Sequence, residues 1–187
     1  MPSLLDDIIT ERLTLRLLGD EIRNACLAAD LPKASELLGA VVTEAFLEHP
    51  SSLQHDQQQL ALNAGYAPWS SRAIIHTNEK QAIGLIRFHA APDPHALKEY
   101  MKNAVEVGYQ IFEPHRRKGY AREAVTAAFD WAHHHFGVDR FIASVSPENL
   151  PSLNLIQSLG FVKVDEVMDE VDGMEYVFCA PIIKNKG

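Results

Sequence analysis

The sequence predicts an α/β domain of the α+β kind, a mixed and mostly antiparallel sheet flanked by helices, and three observations carry that prediction. Residues 105–111, Val-Glu-Val-Gly-Tyr-Gln-Ile, alternate apolar and polar with period two, as a half-buried strand does. From Ala121 to His135 the apolar positions Ala124, Val125, Ala128, Trp131 and Ala132 recur at steps of three and four, the pattern of an amphipathic helix, and residues 140–145 return to strand. A strand, a crossover helix and a second strand form a parallel βαβ unit. Elsewhere two pairs of short apolar segments read as antiparallel hairpins. Residues 73–76 and 82–89 flank Asn78-Glu79-Lys80, and 161–168 and 175–180 flank Asp172-Gly173.

The remaining elements follow in chain order. Residues 12–17 read as a first strand with Leu13, Leu15 and Leu17 on one face. Gly19-Asp20-Glu21 supplies a turn and a helix start, with Ile22, Ala25, Cys26 and Ala29 on the buried side. A less periodic helical stretch covers 33–47, Pro50-Ser51-Ser52 breaks it, and helix resumes over 56–64. Tyr66 and Trp69 suit either a pocket wall or the core. Residues 90–103, with Pro92 and Pro94, form a long polar loop, and 151–159 a short helix opened by Asn149 or by a proline in its first turn.

Composition bounds the function. A chain of 187 residues with 47% hydrophobic content is long enough for one domain, 1–187 with its core over about 10–182, to bury a sizeable interior. A net charge of −8 argues against a nucleic-acid partner, since neutralising phosphates needs a basic face. The cysteines Cys26 and Cys179 form no disulfide framework and fit a reducing compartment, with Cys179 expected as a small buried hydrophobe. No apolar run is long enough to span a bilayer and no signal-peptide pattern opens the chain, so a cytoplasmic protein without a membrane partner is expected, monomer or homodimer. His133-His134-His135 does not suggest a metal, because neighbouring helical side chains point about 100° apart and cannot converge on one ion.

The dense basic cluster is Arg116-Arg117-Lys118-Gly119-Tyr120-Ala121-Arg122, set between a strand and a helix. The first amides of a helix lack intrahelical partners and sit at the positive end of its dipole. Gly119 tolerates positive φ and lets a phosphate come close to the backbone. The pattern is that of a diphosphate cradle.

Arg116-x-x-Gly119-x-Ala121 resembles the Gln/Arg-x-x-Gly-x-Gly/Ala signature of the GNAT acyl-CoA acetyltransferases. Glu106-Val107-Gly108-Tyr109 before it, Arg122-Glu123-Ala124 after it, Asn149-Leu150-Pro151-Ser152-Leu153-Asn154 and Leu159-Gly160-Phe161 fall in that family's order. Thr10-Glu11-Arg12-Leu13-Thr14-Leu15-Arg16 resembles the opening strand of the RimJ/RimL-like, ribosomal-protein acetyltransferase branch. The resemblance implies a single-domain fold whose central strands splay into a V, with acetyl-CoA as acyl donor and no metal. Amides of Arg117 to Arg122 would hold the diphosphate, with Arg116, Lys118, Gly119, Tyr120 and Ala121 completing the grip. Ile111 and Phe112 would lie beside the pantetheine, an amide near Ile111 would face the oxyanion, and Asn149 and Asn154 would make polar contacts on the CoA side.

Acetyl transfer to an amine also needs a base and a proton for the leaving thiolate. Glu106 shares a strand face with Gly108 and Gln110 and is the candidate general base, with Gly108 leaving room beside it for substrate or water. Many family members carry a tyrosine where this chain has Ile156, which cannot donate a proton. Ser152 is then a candidate hydrogen-bond donor to the sulfur, or simply a first-turn residue bonding nearby backbone, and cap chemistry would explain Asn149 equally well. The expected acceptor is a primary amine, either a protein's N-terminal α-amine or a small molecule. The alternatives are a non-catalytic acyl-CoA-binding module, which Ile156 keeps open, and a binder of small anions or nucleotides.

Overall fold

The computed structural model describes residues 3–48, 50–92, 102–170 and 172–181. They fall into two compact units, Met1–Phe88 with Tyr109–Ala128, and His89–Gly108 with Phe129–Gly187. The strands form an open, mostly antiparallel sheet in the order β1-β2-β3-β4-β5-β6-β8-β7.

In the first unit, β1 (Ile8–Ile9), β2 (Leu13–Leu17), β3 (Arg72–His76) and β4 (Gln81–Phe88) are antiparallel neighbours, in a register that sets Leu15 against both Ile8 and Ile74. The far end of β5 (Ala104–Ile111) also belongs here, and the Phe112 N–H donates to the Ile83 carbonyl at 2.9 Å. Helices α1 (Asp20–Leu27), α2 (Leu31–Leu38) and α3 (Ser51–Leu62) contribute Cys26, Leu38 and Leu53 to a core shared with Leu18, Phe46, Ile75, Leu85 and Phe112.

The helices depart from the expected 33–47 and 56–64. Asp30 caps α2 by accepting from the Lys33 N–H at 3.1 Å, and Gly39, at φ +71°, ends it in the left-handed conformation. The expected continuation is a separate 3-10 turn, Glu44–Leu47. α3 begins at Ser51, inside the expected break, with Pro50 just before its first residue, where a missing N–H is harmless. Tyr66 and Trp69 are core residues, each 2% exposed. The Tyr66 hydroxyl lies 2.8 Å from the Phe88 carbonyl and 3.1 Å from the fully buried Asp56 carboxylate, which also accepts the Ser71 N–H at 2.9 Å. Burial, and then the Asp56 charge, push the Tyr66 hydroxyl pKa up.

In the second unit, the start of β5 runs parallel to β6 (Arg140–Val145), and β6 and β7 (Val162–Asp169) both lie antiparallel to β8 (Gly173–Pro181). The parallel register covers Ala104↔Arg140, Val105↔Phe141 and Glu106↔Ile142 and stops there, although β6 continues to Val145 and β5 to Ile111. Glu106 is the last residue of β5 in that register. From α4 (Tyr120–Phe136), whose later turns belong to this unit, Phe129 stacks on Phe141 at 3.8 Å between ring centroids. Cys179 is buried as expected. Of the polar loop expected over 90–103, residues 93–101 lie outside the described residues. Among the described residues no helix is long and apolar enough to cross a membrane.

Candidate active site

The cradle lies wholly in the first unit. β5 ends at Ile111, a 3-10 turn covers Glu113–His115, and residues 116–119 lead into α4. Two residues of this turn have left-handed backbone, Arg117 at φ +65° and Gly119 at φ +82°. Gly119 takes that conformation without strain and Arg117 does not, so the loop holds one locally unfavourable residue next to the helix start. Such a turn, placed before first-turn amides that a helix leaves without intrahelical partners, can curve N–H groups around one point, which is how backbone binds an anion. Arg117, Lys118 and Arg122 are exposed around it, and Tyr120 and Ala121 are half-buried. Arg116 turns back, its Nε donating to the Ile111 carbonyl at 2.8 Å.

A brace from the amino-terminal segment fixes this turn. The Arg12 guanidinium donates to the Lys118 carbonyl at 2.9 Å, pairs with the Glu123 carboxylate at 2.7 Å and lies 4.6 Å from the Tyr120 ring centroid. Glu123 also accepts the Thr10 hydroxyl at 2.6 Å and the Arg12 N–H at 2.9 Å. Burial alone would raise the Glu123 pKa, but these donors and the Arg12 charge outweigh it and hold the carboxyl below its ordinary value. Thr10 and Arg12 suggested a branch resemblance in the sequence, whereas their bonds to Glu123 are a tertiary fact that no local pattern signals.

β5 also sorts its backbone by direction. The Glu106 carbonyl accepts from the His89 N–H at 2.9 Å and the Phe112 N–H donates to Ile83, so both turn to one edge of the strand. Successive residues of a strand turn their backbone groups to opposite edges, which directs the amides of Val107 and Ile111 to the other edge, where Val107 serves the Glu106↔Ile142 pair and Ile111 lies further along the strand. That edge suits an extended amide-bearing ligand, while Ile111 and Phe112 are themselves buried.

Glu106 lies in the second unit with partners the sequence reading missed. Its side chain is 15% exposed, accepts the Ser144 hydroxyl at 2.6 Å and has His89 Nδ1 at 3.6 Å from its Oε2. A Cβ at position 108 would lie 2.6 Å from His89 Nε2, so the histidine ring packs over Gly108. Burial, followed by the charges of Asp172 and Glu106, pushes the Glu175 pKa up, and burial with the Glu106 charge does the same for the Cys179 thiol. The Glu106 charge thus adds to burial in disfavouring the ionised forms of Glu175 and Cys179. Ser144 could have been suspected from its strand position, two residues beyond Ile142 on the same face.

Three further candidates lie on α5 (Leu150–Ser158). Asn149 is its N-cap, accepting the Ser152 N–H at 3.2 Å, so the capping alternative describes its side chain. Ser152 sits in the first turn, half-buried, Asn154 is exposed, and Ile156 is fully buried. The structure thus brings together Ile111, Phe112 and Arg116 to Arg122 in one unit, Asn149 with Ser152 in the other, and Glu106 with His89 and Ser144.

Residues 12–162 match the family model described as an acetyltransferase (GNAT) domain. The chain is 30% identical over 140 residues to the N-acetyltransferase YycN of Bacillus subtilis, covering 75% of this chain and 77% of that protein. It is 28% identical over 160 residues to the N-acetyltransferase p20 of Bacillus licheniformis, covering 85% and 84%. Among solved structures, ribosomal-protein-S5-alanine acetyltransferase from Vibrio fischeri superposes with a TM-score of 0.63 at 20% identity, covering 96% of this chain and 97% of that one. RimL, the ribosomal L7/L12 α-N-protein acetyltransferase, in complex with coenzyme A superposes with a TM-score of 0.64 at 16% identity, covering 95% and 98%.

Proposed function

The chain belongs to the GNAT acetyltransferase family, and from that premise we propose that it transfers acetyl from acetyl-CoA to the free α-amine at the start of a protein chain, by direct attack and without a covalent enzyme intermediate. The observation that carries the donor side is the turn at 116–119, with left-handed residues at Arg117 and Gly119 directly before the first turn of α4. Amides of Arg117 to Arg122 receive the diphosphate, the exposed Arg117, Lys118 and Arg122 add charge, and the edge of β5 near Ile111 pairs with the pantetheine amides. The Ile111 N–H is the oxyanion donor.

Acetyl-CoA supplies an activated thioester. The protein's part is to orient it, to take a proton from the amine and to keep the amine beside it. Glu106 is the base, and the anionic face that it shares with Glu175 draws a cationic acceptor. An α-amine, with an ordinary pKa of about 8, asks much less of that base than a lysine at about 10.4. Ribosomal-protein acetyltransferases among the similar folds point to the same acceptor class. Ile156 is buried and carries no proton, so the thiolate is protonated by water or receives a hydrogen bond from the Ser152 hydroxyl.

Thermal unfolding with acetyl-CoA, with ADP and ATP as controls, tests the donor site. Ligand at a hundred times its Kd adds about 2.7 kcal/mol of stability. A shift with acetyl-CoA alone is expected, and equal shifts with the nucleotides would reduce the cradle to a general anion site. Peptides with a free first residue, compared with N-blocked peptides that offer only lysine, then decide the acceptor.

A further inference from the structure

Thr10, Glu11 and Arg12 are the three residues between β1 and β2, so the brace on the cradle is the tip of a hairpin. The tip closes on itself, the Thr10 N–H donating to the Leu13 carbonyl and the Leu13 N–H to the Thr10 hydroxyl, each at 2.9 Å. Its first strand is only two residues long, and the register Ile8↔Leu15 and Ile9↔Thr14 offers few ladder bonds to keep the hairpin in place. What fixes it lies at the other end. Arg16 on β2 donates to the Asp7 carboxylate through Nε at 3.0 Å and Nη2 at 2.6 Å, and its Nη1 donates to the Leu38 carbonyl at the end of α2 at 2.7 Å. Arg72 on β3, 3% exposed, donates to the Asp6 and Leu4 carbonyls at 2.9 and 3.2 Å. In the register Arg16↔Ala73 and Leu17↔Arg72 the two arginines stand on opposite faces of the sheet, so residues 4–7 are gripped from both. A buried guanidinium is costly without acceptors, and this segment supplies them, so the grip is hard to open.

The geometry points to Arg16 and Arg72 as positioning residues for the acetyl-CoA site. By clamping residues 4–7 they set where the hairpin tip stands, and the tip sets the turn, because Arg12 holds the Lys118 carbonyl and the Glu123 carboxylate. This role rests on the reading of the turn as the donor site and extends that site back to the segment before β1. The turn needs the support. Arg117 has left-handed backbone at φ +65°, a conformation that persists only where its surroundings impose it. The coupling works in both directions. If a loose clamp weakens acetyl-CoA binding, bound acetyl-CoA must tighten the clamp by the same factor.

The test compares D7A, D7E and R72K with the wild type. D7A removes the carboxylate that Arg16 grips, from a half-buried position. It should raise the acetyl-CoA Kd about fivefold, the low end of the usual coupling between sites, with kcat at saturating donor and the acceptor KM unchanged. D7E keeps the carboxylate and should recover most of the affinity. R72K keeps the charge but has one nitrogen for two carbonyls and should act as D7A does; if it does not fold, D7A decides alone. On the protein without ligand, the Arg12 amide, which donates to Glu123, should exchange faster in D7A than in the wild type. In the wild type, acetyl-CoA should slow exchange at Asp6 as well as at Arg12. An acetyl-CoA Kd in D7A within about twofold of wild type, the range of ordinary surface substitutions, overturns the inference. So does an Arg12 amide that exchanges in D7A as it does in the wild type. A parallel deterioration of kcat and acceptor KM marks general destabilisation and also overturns it. If the wild type binds no acetyl-CoA, the donor-site reading has failed, and the ligand-free exchange of Arg12 still decides whether the clamp holds the turn.

Discussion

The cradle and the cluster around Glu106 are written into the chain in different ways. The cradle is nearly contiguous, since residues 116–123 supply the turn, the cations, the helix start and the carboxylate that anchors the brace. The cluster gathers His89 after β4, Glu106 on β5, Ser144 on β6 and Glu175 on β8. Holding an anion is work for backbone amides, and a short stretch can arrange these by itself. Moving a proton needs side chains of matched chemistry close together, and only the folded sheet sets Ser144 at 2.6 Å and His89 at 3.6 Å from the Glu106 carboxylate. The brace is the exception on the cradle side, a long-range contact whose removal should make a locally encoded site lose its shape.

The largest effect on that contrast is expected from Glu123→Ala. It strips the Thr10 hydroxyl, the Arg12 N–H and the Arg12 guanidinium of their acceptor and should cost about 2 kcal/mol in denaturant unfolding at neutral pH, the scale of hydrogen bonds to a charged group. Its acid dependence has a definite sign. The Glu123 pKa is lower in the fold than in the unfolded chain, where it is about 4.3, so its contribution is complete above that value. As the pH falls through the folded value the contribution is lost, and wild type and variant should converge. A gap that persists unchanged into strong acid would show that the carboxylate is not what holds the brace.

A smaller effect is expected from Gly119→Ala. A side chain at φ +82° is strained by about 1–2 kcal/mol, and its Cβ would stand 3.4 Å from Arg12. Acetyl-CoA affinity should fall roughly tenfold, about 1.4 kcal/mol, while kcat at saturating donor is retained. Titration calorimetry together with saturation kinetics separates the two. A fall in kcat with unchanged affinity would mean that cradle and proton-transfer groups are not separable parts.

Alternation and helical periodicity made most of the fold legible. The strand expected over 105–111 begins one residue earlier, 140–145 is as read, and the helix begins at Tyr120 and ends at Phe136. β1 is not visible in the sequence because two residues carry no period, and α2 is shorter than its apolar pattern because Gly39 stops it in the left-handed conformation. The cradle was visible because its chemistry is local. His89 appeared only as the last residue of a strand, and Gly108 only as an opening, because register sets a glycine on one strand under a ring from the next. Asn149 illustrates the opposite case, a residue that two readings explained equally, for which the observed bond to the Ser152 amide is that of a cap.

The early end of the β5–β6 pairing also has a temporal consequence. Neighbouring amides at the end of β5 should exchange their hydrogens with solvent at different speeds, because Phe112 is bonded to Ile83 whereas Ile111 faces the opposite edge, beyond the pair Glu106↔Ile142. A residue-resolved exchange experiment on the protein alone should show a comb of fast and slow positions along one strand. Acetyl-CoA should slow Ile111 and leave Phe112 as it was, so that the strand keeps a record, amide by amide, of whether its ligand has arrived.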